Sequence, residues 1–213
     1  MNKKEDFKFH VKRERPEDIY QKASDYFNEK KVKEYSTSKS MMRIQLKITQ
    51  RALEILKIRN TNAIILDAGC GPGYSSFFLK ELGYRVVAID LISEFFNYFN
   101  INIINPVQCD MTHIPFRPNF FDGIISISAL QWLTNNLGKH EKDESVKFLM
   151  KRFYEILKPQ SKLVFQFYPK NSQILEKLKK IIISNTNFDG GFIIDNPESP
   201  KKRKIYLELY KNS

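Results

Sequence analysis

The chain has 213 residues, 42% of them apolar and 13% aromatic, enough to bury one sizeable core without help from disulfides or metals. Its 35 Lys and Arg against 24 Asp and Glu leave a net charge of +11, which favours a polyanionic partner through counterion release and which codon bias or growth temperature also produces in lysine-rich chains. Cys70 and Cys109 lack the paired spacing of a zinc site, residues 1–15 are too charged for a signal sequence, and no apolar run approaches the roughly 18 residues of a membrane span; a soluble, cytoplasmic protein is expected, or a nuclear one in a eukaryote.

Residues 1–18 are polar, so a flexible arm or lightly docked extension is expected there, followed by one domain over 19–213. Between 19 and 57 the apolar positions, Phe27, Met41, Ile44, Ile48, Ala52 and Ile55 among them, recur at spacings of three and four, which predicts helices. The Ser-Thr-Ser stretch at 36–38 breaks them in two and caps the second. Strands and helices then alternate: strands over 63–66, 85–89, 106–109, 121–126 and 163–168, helices over 75–82, 94–100, 148–157 and 174–183, the third of these stopped by Lys158-Pro159. Stretches 191–194 and 204–210 read as antiparallel strands that close the sheet. The pattern predicts an α/β, Rossmann-like fold with a mostly parallel seven-stranded sheet and helices on both faces.

The sequence Asp67-Ala-Gly69-Cys-Gly71-Pro-Gly73 falls directly after a predicted strand and before a helix. Glycines let a backbone turn sharply and approach a ligand, and free amides at a helix start suit the polar part of a nucleotide-like cofactor. The spacing differs from the G-x-G-x-x-G of dinucleotide sites, and an acid leads it. Asp67 would repel a pyrophosphate but anchor, directly or through water, the ammonium of a methionine moiety, which favours S-adenosylmethionine over NAD. Asp90, with Leu91 beside it, ends the second strand, where a carboxylate either accepts from both ribose hydroxyls or caps a helix. Asp110 and Met111 follow the third strand and suit the adenine amino group and ring. Ser126 closes the fourth, ahead of Ala129-Leu-Gln-Trp132, at the crevice where open α/β sheets bind ligands. Trp132 either belongs to the core or stacks on a base at the crevice mouth.

Ser126-Ile-Ser-Ala-Leu-Gln-Trp132, Gln166-Phe-Tyr-Pro-Lys-Asn171 and Phe188-Asp-Gly-Gly-Phe-Ile-Ile-Asp-Asn-Pro-Glu-Ser199 together resemble the eukaryotic 18S ribosomal RNA (guanine-N7)-methyltransferases linked to bud-site selection. The likeness extends through Tyr35, Ile44, Gln45, Lys47, Thr49 and the run from Arg51 to Glu54, and on to Tyr206. The resemblance implies an S-adenosylmethionine-dependent class I methyltransferase that acts on ribosomal RNA in ribosome biogenesis. It also implies a small zinc-containing activator protein paired at the third-strand edge, where Phe95, Phe96, Tyr98, Phe99, Ile101, Ile103, Ile104 and Val107 either pack inward or meet that partner. Two departures stand out: the family's long basic C-terminal tail is missing, as expected of a short archaeal-type homologue, and Ser40 stands where the family has arginine, with Lys39 and Arg43 adjacent.

Guanine N7 carries a lone pair and no proton, so no general base is expected; alignment and water exclusion do the work. Trp132, Tyr168, Pro169 and Asn171 are candidates to hold a flipped or single-stranded base. Asp195, in the turn Asp195-Asn-Pro197, is a candidate at the substrate mouth, beside Lys201-Lys-Arg-Lys204 for phosphates or simply for solvent. The alternatives are a methyltransferase of a small molecule or protein, against which Ser-Ile-Ser-Ala in place of an amide-binding Asn-Pro-Pro-Tyr motif argues, and an assembly factor with little activity, against which the intact glycine loop argues.

Overall fold

The computed structural model of the protein describes residues 14–213. Five strands run parallel: β1 (Ile64–Ala68), β2 (Arg85–Asp90), β3 (Val107–Gln108), β4 (Phe121–Ile127) and β5 (Leu157–Phe167). Among the described residues β6 (Phe188–Asp195) pairs only with β7 (Lys204–Lys211), which lies antiparallel between it and β5. The order across the sheet is β3-β2-β1-β4-β5-β7-β6. β2 and β4 flank β1, so the chain reverses its direction across the sheet there, and a crevice opens outside the carboxyl ends of these strands.

The strands carry apolar residues on both faces because helices cover both. Ahead of the sheet come α1 (Pro16–Ile19), α2 (Ala23–Tyr26), α3 (Glu29–Ser36) and α4 (Lys39–Leu56); α5 (Tyr74–Glu81), α6 (Gln131–Thr134), α7 (His140–Ile156) and α8 (Ser172–Asn185) are interleaved with it. On one face Ile48, Ala52 and Ile55 of α4 and Leu79 of α5 meet Ile65, Ile125, Val164 and Tyr206. On the other, Leu149 and Phe153 of α7 and Leu178 of α8 meet Leu66, Ile124, Leu163 and Leu207. Adjacent residues such as Ile65 and Leu66, or Ile124 and Ile125, thus enter opposite cores. α4 begins where the serine-rich stretch predicts, with Ser38 Oγ accepting from Met41 N–H at 3.2 Å, a side-chain cap for an otherwise unsatisfied donor.

Two expectations change, and a third keeps its docked alternative over residues 14–18. Residues 1–13 of the expected arm lie outside the described residues, but 14–18 are docked: Asn135 Nδ2 donates to the Glu17 carbonyl at 2.5 Å and Arg15 Nη1 to the Tyr168 carbonyl at 2.7 Å. A single four-residue turn carries too little apolar period to register in sequence. The stretch predicted as a helix over 94–100 is a 3-10 helix, Ser93–Tyr98. Pro159 does not stop α7, which ends at Ile156; β5 follows at once and runs through Pro159 at a register shift between Phe121 and Gly123 of β4, where a bulge tolerates a residue without N–H.

The end of β7 is fastened from within. Lys211 Nζ donates to Asn119 Oδ1 at 2.8 Å, to the Tyr154 carbonyl at 2.7 Å and to the Leu157 carbonyl at 2.8 Å, taking up carbonyls left open at the end of α7. Lys211→Met therefore strands three acceptors, and urea unfolding should show a loss of about 2 kcal/mol; an unchanged midpoint would contradict this role.

Candidate active site

Two carboxylates shape the glycine loop. Asp90, at the end of β2, accepts the Gly71 N–H at 2.7 Å on one oxygen and the Ile92 N–H at 2.9 Å on the other. Burial raises its pKa against these backbone donors. Asp67, at the end of β1, has no exposed surface; one oxygen accepts from the Ser75 and Ser76 hydroxyls at 2.5 and 2.6 Å, pinning the first turn of α5. The two serines oppose the burial that pushes its pKa up to about 6. Gly69 sits in the left-handed region at φ +78, and a Cβ there would lie 2.5 Å from the Ala129 Cβ, so only glycine lets the loops after β1 and β4 approach this closely.

The crevice beside this loop spans about 710 Å³ with its solvent-filled mouth included. Gly69, Gly71, Asp90, Leu91, Asp110 and Met111 all reach its wall. Asp110 Oδ1 is held by the N–H and hydroxyl of Thr112, both at 2.8 Å, which fixes the carboxylate over the crevice. Trp132 is on the wall too, and packs against Tyr26 and Phe27 with centroids 5.9 and 5.8 Å away; the two readings of this residue merge, since it is partly buried and still faces the crevice.

Other candidates lie off the wall. The Asp67 carboxylate is enclosed, one oxygen taken by the two serine hydroxyls and the other, Oδ1, left without a partner. Gly73 caps α5 at φ +88 against the Phe99 ring. Ser126 donates to the Ala68 carbonyl at 2.6 Å, tying β4 to β1. Asn171 caps α8, its Oδ1 accepting from Ile174 N–H at 3.1 Å. Asp195 is bound to Arg51 of α4 through both oxygens, at 2.9 and 3.2 Å. Tyr168 and Pro169 follow β5 outside the crevice, the Tyr168 ring lying 5.3 Å beneath Lys204 Nζ.

Sequence reading missed the roof. Ala23, Phe27 and Tyr35, from α2, the turn after it and α3, close the crevice from above, and the Tyr74 hydroxyl secures α3 by donating to the carbonyls of Tyr35 and Ser36 at 3.0 and 2.8 Å. Ser128, just past β4 where the sequence places the crevice, lines its wall as a non-glycine residue at φ 57 whose Oγ donates to Gln166 Oε1 at 2.9 Å and accepts from Gln45 Nε2 at 3.3 Å. The aromatic spacing of Tyr26, Phe27 and Tyr35 was a usable signal for the roof; the positive φ of Ser128 leaves no sequence trace.

The residues present fit S-adenosylmethionine. Each Asp90 oxygen keeps a lone pair for a ribose hydroxyl, Asp110 and Met111 offer an acceptor and an apolar wall for adenine, and Asp67 Oδ1 is buried with no hydrogen-bond partner. An acceptor left so costs about 1–3 kcal/mol, which a donor from the methionine end of the cofactor would recover.

The profile described as a methyltransferase domain matches residues 66–165. The 18S rRNA (guanine-N(7))-methyltransferase bud23 of Schizosaccharomyces pombe is 34% identical over 192 residues, covering 86% of this chain and 70% of that protein. The Mus musculus 18S rRNA (guanine-N(7))-methyltransferase is 33% identical over 193 residues, 87% of this chain and 67% of that one. Among solved structures, phosphoethanolamine N-methyltransferase 2 of Haemonchus contortus in complex with S-adenosyl-L-methionine shares the fold at a TM-score of 0.68 and 16% identity, over 87% of this chain and 58% of that chain. Fold, site and profile define an S-adenosylmethionine-dependent methyltransferase of class I. Identity over this length sets the branch, and the chain belongs to the 18S rRNA (guanine-N7)-methyltransferase family.

Two measurements check the site. Asp90→Ala should weaken S-adenosylhomocysteine binding by about 10- to 100-fold in calorimetry, because two charge-assisted hydrogen bonds are at stake; unchanged affinity would remove Asp90 from the site. The Asp67 pKa, raised from 3.8 to about 6, stabilises the fold fully below pH 3.8 and loses that contribution as pH rises through 6. Asp67→Asn should therefore remove about 2 kcal/mol of the stability decline between pH 4 and pH 6, read by urea unfolding across that range.

Proposed function

We propose that the chain methylates N7 of a guanine in small-subunit ribosomal RNA during ribosome biogenesis. The observation that carries this reading is the chemistry of the crevice beyond the glycine loop: Ala23, Phe27, Trp132 and Leu133 bring no ionisable side chain there. Such a wall suits a flat, neutral acceptor whose reacting atom needs no deprotonation, as guanine N7 does. The names of the family's members support the same substrate.

S-adenosylmethionine, when bound, supplies an electrophilic methyl group. The chain's part is placement. Trp132, braced by Tyr26 and Phe27, offers a ring face for the base, and the roof of α2 and α3 limits water. Basic residues stand around the same edge of the sheet: Lys39, Arg43 and Lys47 follow at four-residue spacing along exposed α4, with no acid in that helix before Glu54, and Lys201 and Lys202 are exposed in the turn between β6 and β7. Like charges spaced so repel one another, and RNA phosphates relieve that cost.

The reading includes a small zinc-containing activator at the β3 edge. β3 has two residues and one neighbour, β2. Around it the apolar run divides: Phe95, Phe99 and Ile104 are buried, while Tyr98, Ile101, Ile103 and Val107 remain exposed. An edge strand bordered by exposed apolar side chains is a template for added protein.

Incubation with S-adenosylmethionine, the organism's small-subunit RNA and the activator should give 7-methylguanosine at one position, detected by borohydride-aniline cleavage. No transfer to RNA, with methylation of a protein or small molecule instead, would overturn the substrate. Replacing Ile101 and Ile103 together by glutamate should weaken the activator complex at least about tenfold while leaving the isolated chain folded by circular dichroism; an unaltered complex would move the partner elsewhere.

A further inference from the structure

Beside the crevice, two side-chain acceptors are buried without a partner, Gln131 Oε1 on α6 and Asn135 Oδ1 at its end. What their nitrogens hold fixes both amides. Gln131 Nε2 donates to the Ser128 carbonyl at 2.7 Å, and Asn135 Nδ2 to the Glu17 carbonyl at 2.5 Å and Asp18 Oδ1 at 3.2 Å. Turning either amide over would set oxygen against oxygen, so the atom left free in each is the acceptor. Four residues apart along a helical turn, the two share one face, about 6 Å apart. Glu17 adds a third group: its side chain is 7% exposed, burial raises its pKa, and its ion pair with Arg15 spans 3.6 Å, beyond hydrogen-bond reach.

Buried acceptors placed together ask for a ligand edge made of donors. Guanine has such an edge, with N1–H and the two hydrogens of its 2-amino group, on the side of the base opposite N7. Adenine offers a bare N1 lone pair there, which would face acceptors. We propose that Gln131, Asn135 and Glu17 receive the Watson–Crick edge of the target guanine and select it over adenine; the assignment rests on the ribosomal guanine reading above and names the residues that read the base. Trp132 follows Gln131 on α6 and faces the crevice, so a base laid on it turns N7 to the crevice and its donor edge to the Gln131 and Asn135 face. α1, which carries Glu17, is held over these acceptors by polar contacts, Arg15 to the Tyr168 carbonyl at 2.7 Å and Lys170 to Asp18 at 3.1 Å.

The test replaces the methylated guanosine, in a fragment of small-subunit RNA, by inosine, which keeps N7 and N1–H and lacks the amino group. With the full chain and its activator, kcat/KM should fall about 10- to 100-fold on the inosine RNA. Glu17→Gln should be slower on guanosine by a similar factor and discriminate between the two RNAs by less than about threefold, with S-adenosylhomocysteine affinity unchanged; a purely structural role would lower both rates and keep the ratio. Equal wild-type rates on guanosine and inosine overturn the proposal without any variant having to fold. A chain that binds S-adenosylhomocysteine but methylates no RNA overturns the substrate reading, and this assignment with it.

Discussion

The site depends on two carboxylates buried side by side at the carboxyl ends of β1 and β2. Neither is stable there alone, because desolvation penalises both charges, and each is held by donors that belong to the loop between them. Asp90 takes the Gly71 N–H and Asp67 takes the first-turn hydroxyls of α5. The loop is thereby shaped by the same groups that the cofactor needs, and the crevice exists before any ligand arrives. Such preorganisation keeps ordering costs out of binding.

Much of this was legible because strand ends and glycines leave strong traces. The five parallel strands follow from short apolar runs bounded by turn residues, and Gly69, Asp90 and Asp110 from their places after them. The partners of the remaining candidates are tertiary. Asp67 is also held by Ser75 and Ser76, which reach it only once α5 folds back over β1. Ser126 and Asn171 each satisfy a backbone group, as short polar side chains do at strand and helix ends. Asp195 is claimed by Arg51, far away in sequence, and no local pattern announces such a pair.

The roof is the largest omission. α1, α2 and α3 are short, and their apolar residues are not periodic over enough turns to signal burial. Their packing is aromatic: Phe27 meets Phe95 at 5.1 Å and Tyr35 meets Phe95 at 5.8 Å, which joins the segment ahead of the sheet to the 3-10 helix after β2. That helix also leads to the exposed apolar edge at β3. The crevice roof and the edge surface therefore share Phe95 as a common support.

β7 has an implication for how the chain assembles. It enters the sheet between β5 and β6, and among the described residues β6 has no neighbour but β7. During synthesis, then, β5 must wait with one side bare and β6 must wait unpaired until the segment that follows both has emerged. Completion of this end of the sheet is a late, non-local step, the slow kind of strand pairing, and Lys211 closes it by reaching back to carbonyls laid down long before. A methyltransferase built this way stays unfinished at one end of its sheet until β7 has been made.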